Sequence, residues 1–141
     1  MAQASASTFR AGTARRGGSL EVSNLAVSVP SAGLTTLLDI DVRGLSFVTV
    51  RVDPTVQALD ALELQGKTNQ GEGSYFTFAS ASGDYTSPSG YVVKASGNLA
   101  AQAAGSIGWV LVDVRGLSQL RVQASANVAG AATVSAYAGG R

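Results

Sequence analysis

Asp39 and Asp41, followed by Gly44, bring together the residue types that open a calcium-binding loop. The further oxygen ligands such a loop needs are missing, and the two acids fall on alternate positions of a strand-like run. Asp41 is instead expected to pair with Arg43 on a solvated strand face. Asp113 and Arg115 repeat that pair, while Leu111 stands where Asp39 would. A structural pair explains this repetition and a metal site does not. The nine acidic residues would suffice for the paired carboxylates of a glycoside hydrolase, but no two stand in a context that raises a pKa or builds an aromatic cleft. The chain has no His and no Cys, which removes imidazole acid–base chemistry, thiol catalysis, disulfides and the usual zinc or haem ligation. The expectation is a protein that is not an enzyme, with no catalytic residue, metal or cofactor.

Two residue sets remain that could bind something. Tyr75, Phe76, Phe78, Tyr85, Tyr91 and Trp109 include candidates for stacking on a sugar, with Tyr85 beside Asp84 in a predicted exposed loop. Phe9, Arg10, Arg15 and Arg16 form a basic, otherwise small-residue arm. Residues 1–19 hold three arginines and no acid, which leaves seven basic and nine acidic residues in the rest of the chain, although the net charge is only +1. Three positive charges with one aromatic make a weak nucleic-acid footprint, so an acidic protein surface is the expected target of the arm. No segment has the length and continuous apolarity of a membrane-spanning helix, and neither nucleic acid nor membrane is an expected partner.

The elements that position these residues come from a duplication. Asp-Val-Arg-Gly-Leu-Ser stands at Asp41–Ser46 and again at Asp113–Ser118, each time between runs of alternating apolar residues. Leu38, Ile40 and Val42 are predicted to face a core, with Leu45 plugging its end and Val48, Val50 and Val52 resuming the alternation until Asp53-Pro54 stops it. In the second copy Val110, Val112 and Val114 take the core phase, followed by Leu120, Val122 and Ala124. Trp109 and Leu111 occupy the other phase, as expected for a strand in the middle of a sheet or against a neighbouring subunit.

Elsewhere, Leu20 and Val22 alternate on one phase and Leu25, Val27 and Val29 on the other, which predicts a bulge near Ser23-Asn24. The stretch Ala58–Ala61 is ambiguous between strand and helical turn, and Gly66–Gly73 and Ser80–Gly90 read as loops. About nine strands with short turns predict an all-β, antiparallel β-sandwich or jelly-roll-like single domain over residues 20–141. Residues 1–19 are too poor in apolar side chains to offset their ordering entropy, and are expected to form a flexible arm.

The two repeat segments, over roughly residues 36–52 and 109–137, resemble small β-sandwich proteins of tailed-phage virions, head decoration (cement) proteins most of all. The shared pattern is an apolar strand, Gly, an apolar plug, Ser and a second apolar strand, and other virion modules of fibre and tail carry it too. The resemblance implies a homotrimer on the outer surface of a phage capsid, tying together copies of the major capsid protein, with Phe9, Arg10, Arg15 and Arg16 as anchoring residues. A charged fraction of only 13% suits a surface covered by partners. Two alternatives stand beside it: a tail or head–tail junction component, and a carbohydrate-binding module.

Overall fold

The computed structural model describes residues 19–81, 91–96 and 103–141. Nine strands occur among them: β1 (Leu20–Val29), β2 (Thr35–Asp41), β3 (Phe47–Thr55), β4 (Leu59–Lys67), β5 (Phe76–Ala81), β6 (Val92–Ala95), β7 (Gly108–Asp113), β8 (Gln119–Ala126) and β9 (Ala132–Gly140). They form two antiparallel sheets, a front sheet ordered β1-β9-β3-β7-β6 and a back sheet ordered β2-β8-β4-β5. This is the predicted all-β sandwich. Alternation drives it: Leu38, Ile40 and Val42 from the first repeat, Val110, Val112 and Val114 from the second, and Leu120, Val122 and Val134 are all at most 1% exposed between the sheets.

Each copy of the hexapeptide carries the chain from one sheet to the other, the first from β2 to β3 and the second from β7 back to β8. The two corners have the same geometry. Leu45 N–H donates to the Val42 carbonyl (3.0 Å) and Leu117 N–H to that of Val114 (2.9 Å), with Gly44 at φ 83° and Gly116 at φ 91°. A positive φ at the third turn position is the type II requirement, and glycine meets it without steric cost. The corners also bond reciprocally, Val42 N–H to the Ser118 carbonyl (3.1 Å) and Val114 N–H to the Ser46 carbonyl (2.9 Å). The registers follow the same local two-fold relation: Asp41 opposes Gln119 as Phe47 opposes Asp113, and Ile40 opposes Leu120 as Val48 opposes Val112. It breaks at Leu37, where β2 bulges against β8.

The expected acid–arginine pairs sit at these corners. Asp41 Oδ1 accepts the Arg43 backbone N–H (3.0 Å) and the side-chain Nε (2.9 Å), and Asp113 does the same for Arg115 at 3.1 and 3.0 Å. The hydrogen bond from Arg115 holds the Asp113 carboxyl below its usual pKa. Both arginine side chains are more than 60% exposed, so the forks shape the turn more than they stabilise the fold.

Two expectations change and one ambiguity is resolved. The bulge in β1 lies at Leu25 and Ala26, which together oppose Ser135, and Ala26 sits at φ 55°. Leu25 is therefore 55% exposed, and Asn24 takes the inward position, donating its amide to the Leu37 carbonyl at 2.7 Å and tying the two edge strands β1 and β2 together. Pro54 does not end its strand. Pairing of β3 with β7 stops at Val52, and beyond it the loop before β7 takes that side, Gly105 N–H donating to the Pro54 carbonyl (2.8 Å), so the missing N–H interrupts no strand ladder. The stretch Ala58–Ala61 enters β4 through a bulge rather than a helical turn.

Candidate functional site

The two outer faces of the sandwich differ in kind. On the back sheet, Tyr75 lies across its neighbours and donates its hydroxyl to Asp39 (2.6 Å), which also accepts from Gln119 Nε2 (3.0 Å). The Arg121 guanidinium stands 3.8 Å from the Tyr75 ring centre and Lys67 Nζ 4.6 Å. Arg121 Nε donates to Gln65 (2.6 Å), Gln65 Nε2 to Gln123 (3.1 Å), and Gln123 Nε2 to Thr36 (2.9 Å). The chain of bonds runs from β2 through β8 to β4, and Gln65 is only 6% exposed beneath it. Side chains that satisfy one another in this way leave little for a partner.

Asp39 is therefore committed to Tyr75 and Gln119, and Asp41 to Arg43. Burial, reinforced by the hydrogen bond to Asp39 and its charge and opposed by Arg121, pushes the Tyr75 pKa far above its ordinary 10.0. The folded chain keeps the Tyr75 proton at a pH where the unfolded chain releases it. Its contribution to stability is thus complete below about pH 10 and falls as pH rises toward the folded value. Alkaline titration of the native protein is expected to leave one tyrosine un-ionised until the chain unfolds, and Tyr75→Phe to remove that late class while flattening the alkaline loss of stability. Equal alkaline sensitivity in the two proteins would contradict the assignment.

On the front sheet, four of the outward positions of β3, β7 and β9 carry apolar or aromatic side chains, Phe47, Trp109, Leu111 and Tyr137, among polar ones such as Thr49, Arg51, Asp53 and Ser135. Tyr137 lies opposite Arg51, which lies opposite Trp109, so the three cross β9, β3 and β7 in one row. The Arg51 guanidinium is 5.3 Å from the Tyr137 ring centre and is aimed by a fork onto Asp53 (3.0 and 2.8 Å). Below this row stand Thr49 opposite half-buried Leu111, then Phe47 opposite Asp113. Phe47 is 39% exposed and Tyr137 36%. The rigid corners fix both strands that carry Phe47, Trp109 and Leu111.

Of the residues singled out in the sequence, Phe9, Arg10, Arg15 and Arg16, and likewise Asp84 and Tyr85, lie outside the described residues. Phe76, Phe78 and Tyr91 pack on one another, with ring centres 5.0 to 6.3 Å apart, and close the side of the sandwich where β5 and β6 form the edges. Of the described members of the aromatic set, only Trp109 lies on the outer side of the front sheet. Phe47 and Tyr137 were missed as site residues. The signal was present: the outward phases of β3, β7 and β9 carry Phe47, Trp109, Leu111 and Tyr137, and come onto one face, with Thr49 and Arg51 between them, once these strands are adjacent.

The fold and its two unlike faces define an antiparallel β-sandwich whose front sheet mixes Phe47, Trp109, Leu111 and Tyr137 with polar side chains on its outer face. No known protein family matches the chain, and no curated protein matches it in sequence. Among solved structures it is similar to the SPBc2 prophage-derived protein YomS, with 12% identity over 86% of this chain and 94% of that one and a TM-score of 0.47.

Proposed function

We propose that this chain is a non-enzymatic structural protein of a phage virion, a head decoration protein that reinforces the capsid from its outer surface. The observation that carries the binding part of this reading is the front face, where exposed Phe47 and Tyr137 share the outer side with Trp109 and Leu111. Tyr, Trp and Arg are the residues that dominate protein–protein interfaces, and here they share one row. The phage-head part is supported by the resemblance of the two repeat segments and by the sparse charge of the chain. In this reading the front face and the arm residues Phe9, Arg10, Arg15 and Arg16 contact the major capsid protein, and the chain acts as a homotrimer. Repetition over the shell makes weak single contacts sufficient. A protein that binds the assembled lattice and not its free subunits shifts the equilibrium toward assembly.

Quantitative mass spectrometry of purified particles is expected to find this chain at a copy number comparable to that of the major coat protein. A handful of copies per particle would move it to a tail or junction, and absence from particles would overturn the reading. Deleting residues 1–19, or replacing Phe47 and Tyr137 together by serine, is expected to leave the domain folded. Each change should weaken its retention on heads by about thirty-fold or more, the loss of roughly 2 kcal/mol typical of an interface aromatic. Retention at the unaltered level in both variants would remove the face and the arm from the contact.

A further inference from the structure

The end of the sandwich away from the hexapeptide corners presents four loop tips, residues 30–34, 56–58, 103–107 and 127–131. Backbone bonds hold them together: Ala126 N–H donates to the Pro30 carbonyl (3.0 Å), Asn127 N–H to that of Ala58 (3.0 Å) and Gly105 N–H to that of Pro54 (2.8 Å). Each tip carries one exposed aliphatic side chain. Val128 is 95% exposed, Val56 73%, Ile107 56% and Leu34 40%, and the first three are the most exposed large apolar side chains among the described residues. None of the four tips contains an Asp, Glu, Lys or Arg. The nearest such residues along the chain, Asp53 and Asp60, lie back on β3 and β4. Loop tips accept polar residues freely, so an aliphatic one on each of four neighbouring tips marks a surface that is covered in use.

Two of the tips hold a valine that the turn itself does not require. Gln57 N–H donates to the Thr55 carbonyl (2.8 Å) across Val56, whose φ of 72° makes this the rare, strained form of γ-turn. Glycine or asparagine would adopt that φ with less strain than a β-branched residue. In the turn between β8 and β9, Asn127 Oδ1 accepts the Ala129 N–H (3.0 Å) and the Asn127 carbonyl accepts the Gly130 N–H (3.3 Å), so the neighbours of Val128 close the turn and Val128 forms its tip. Side chains presented on turns held in this way lose little freedom on binding.

The absence of charge selects the occupant. Nucleic acid, a strongly charged protein face and an anionic membrane are all recognised through charge, which these tips do not offer. The same end of a second copy meets them with no like-charge contact. A two-fold contact of this kind needs a self-complementary surface, with projections and low places on one patch. The tips supply both: Leu34 stands next to Gly33 and Ile107 two residues from Gly105, and nothing lies within 4 Å of where a Cβ would stand on either glycine. We infer that two copies of this chain pair end to end through these tips. Five strands about 4.8 Å apart and two layers make an end of roughly 24 by 20 Å, so pairing covers about 1,000 Å² in total, the lower bound of a specific interface. The dimer is therefore weak, with a Kd on the order of 100 µM. The contact lies apart from the front face and does not rest on the virion reading.

Sedimentation equilibrium of the full chain, from about 10 µM to about 1 mM, tests it. A monomer to dimer equilibrium is expected, and about 1 M sodium chloride should leave it unchanged or tighten it, because no ion pair holds it. Val56→Asn with Val128→Ser should weaken the dimer about ten-fold or more. Neither substitution should lower the unfolding midpoint, since Val128 is 95% exposed and Val56 is released from strain. The chain has no cysteine, so single Ala129→Cys and Arg43→Cys variants report which ends meet. On mild oxidation the first, at a tip, is expected to give disulfide-linked dimers about ten-fold faster than the second, at a corner. Equal rates, a monomer at every concentration, or a dimer that the paired valine substitutions leave intact would overturn the pairing. A monomer that binds neutral phosphatidylcholine vesicles would overturn it in favour of lipid. A trimer untouched by the substitutions, with no further pairing, would overturn it and leave the virion reading in place.

Discussion

Gly140→Val is expected to lower the free energy of unfolding by about 3 kcal/mol or more, whereas Gly139→Val, one residue earlier, should leave it unchanged or raise it by up to ~1 kcal/mol. The two glycines are neighbours on β9 with opposite surroundings. A Cβ at Gly140 would lie 2.3 Å from the Phe47 carbonyl oxygen and about 3 Å from Val48, contacts that no rotamer can relieve because backbone atoms make them. Relief requires β9 and β3 to part. That would strain the bonds that close the end of the front sheet, Arg141 N–H to the Phe47 carbonyl (3.1 Å) and the N–H groups of Ser46 and Phe47 to the Arg141 carbonyl (2.9 and 3.1 Å). Ser46 also holds the second corner through its carbonyl bond to Val114 N–H, so the damage reaches the duplicated core. Denaturant titration of the three proteins measures the difference. Equal losses in the two variants would mean that Gly139 too is structural and that the contrast in their surroundings does not set the cost.

How much of this was legible in the sequence depends on whether a feature is local. Alternation placed Ile40, Val50, Val112 and Val122 on the core correctly, because a strand's two faces follow from its own residue order. The hexapeptide repeat located both corners, since Gly44 and Gly116 are the residues a type II turn demands. Pairing decisions were not local. Whether Pro54 ends a strand depends on β7 stopping at Val52, and whether Leu25 is buried depends on a bulge opposite Ser135, neither of which the neighbouring residues reveal. The back-face network is less local still: Tyr75 and Asp39 are joined across the whole sheet, and nothing in the sequence around Asp39 marks it as the acceptor of a tyrosine hydroxyl. For the same reason the row of Tyr137, Arg51 and Trp109 cannot be read until β9, β3 and β7 are known to be adjacent.

Leu45→Ala and Leu117→Ala should each cost about 2–4 kcal/mol, and the two costs should agree within ~1 kcal/mol. Both leucines are at most 5% exposed, both close a type II turn, and each turn is braced by the reciprocal bond from the opposite copy. Leu117 should be the more costly of the pair. Its Cδ2 lies 3.0 Å from where a Cβ on Gly66 would stand, so Leu117 fills space that β4 leaves open, and truncation there makes a cavity against backbone that cannot move in. Because Val42 bonds to Ser118 and Val114 to Ser46, neither corner is independent of the other, and the double variant should depart from additivity by ~0.5 kcal/mol or more. A large loss at one leucine with none at the other would show that the repeated hexapeptide is an echo of sequence without shared mechanical work. If both matter, the consequence is functional. The corners set the positions of β3 and β7, so loosening either one should blur the alignment of Phe47 and Leu111 on the front face and weaken its contacts before the domain itself unfolds.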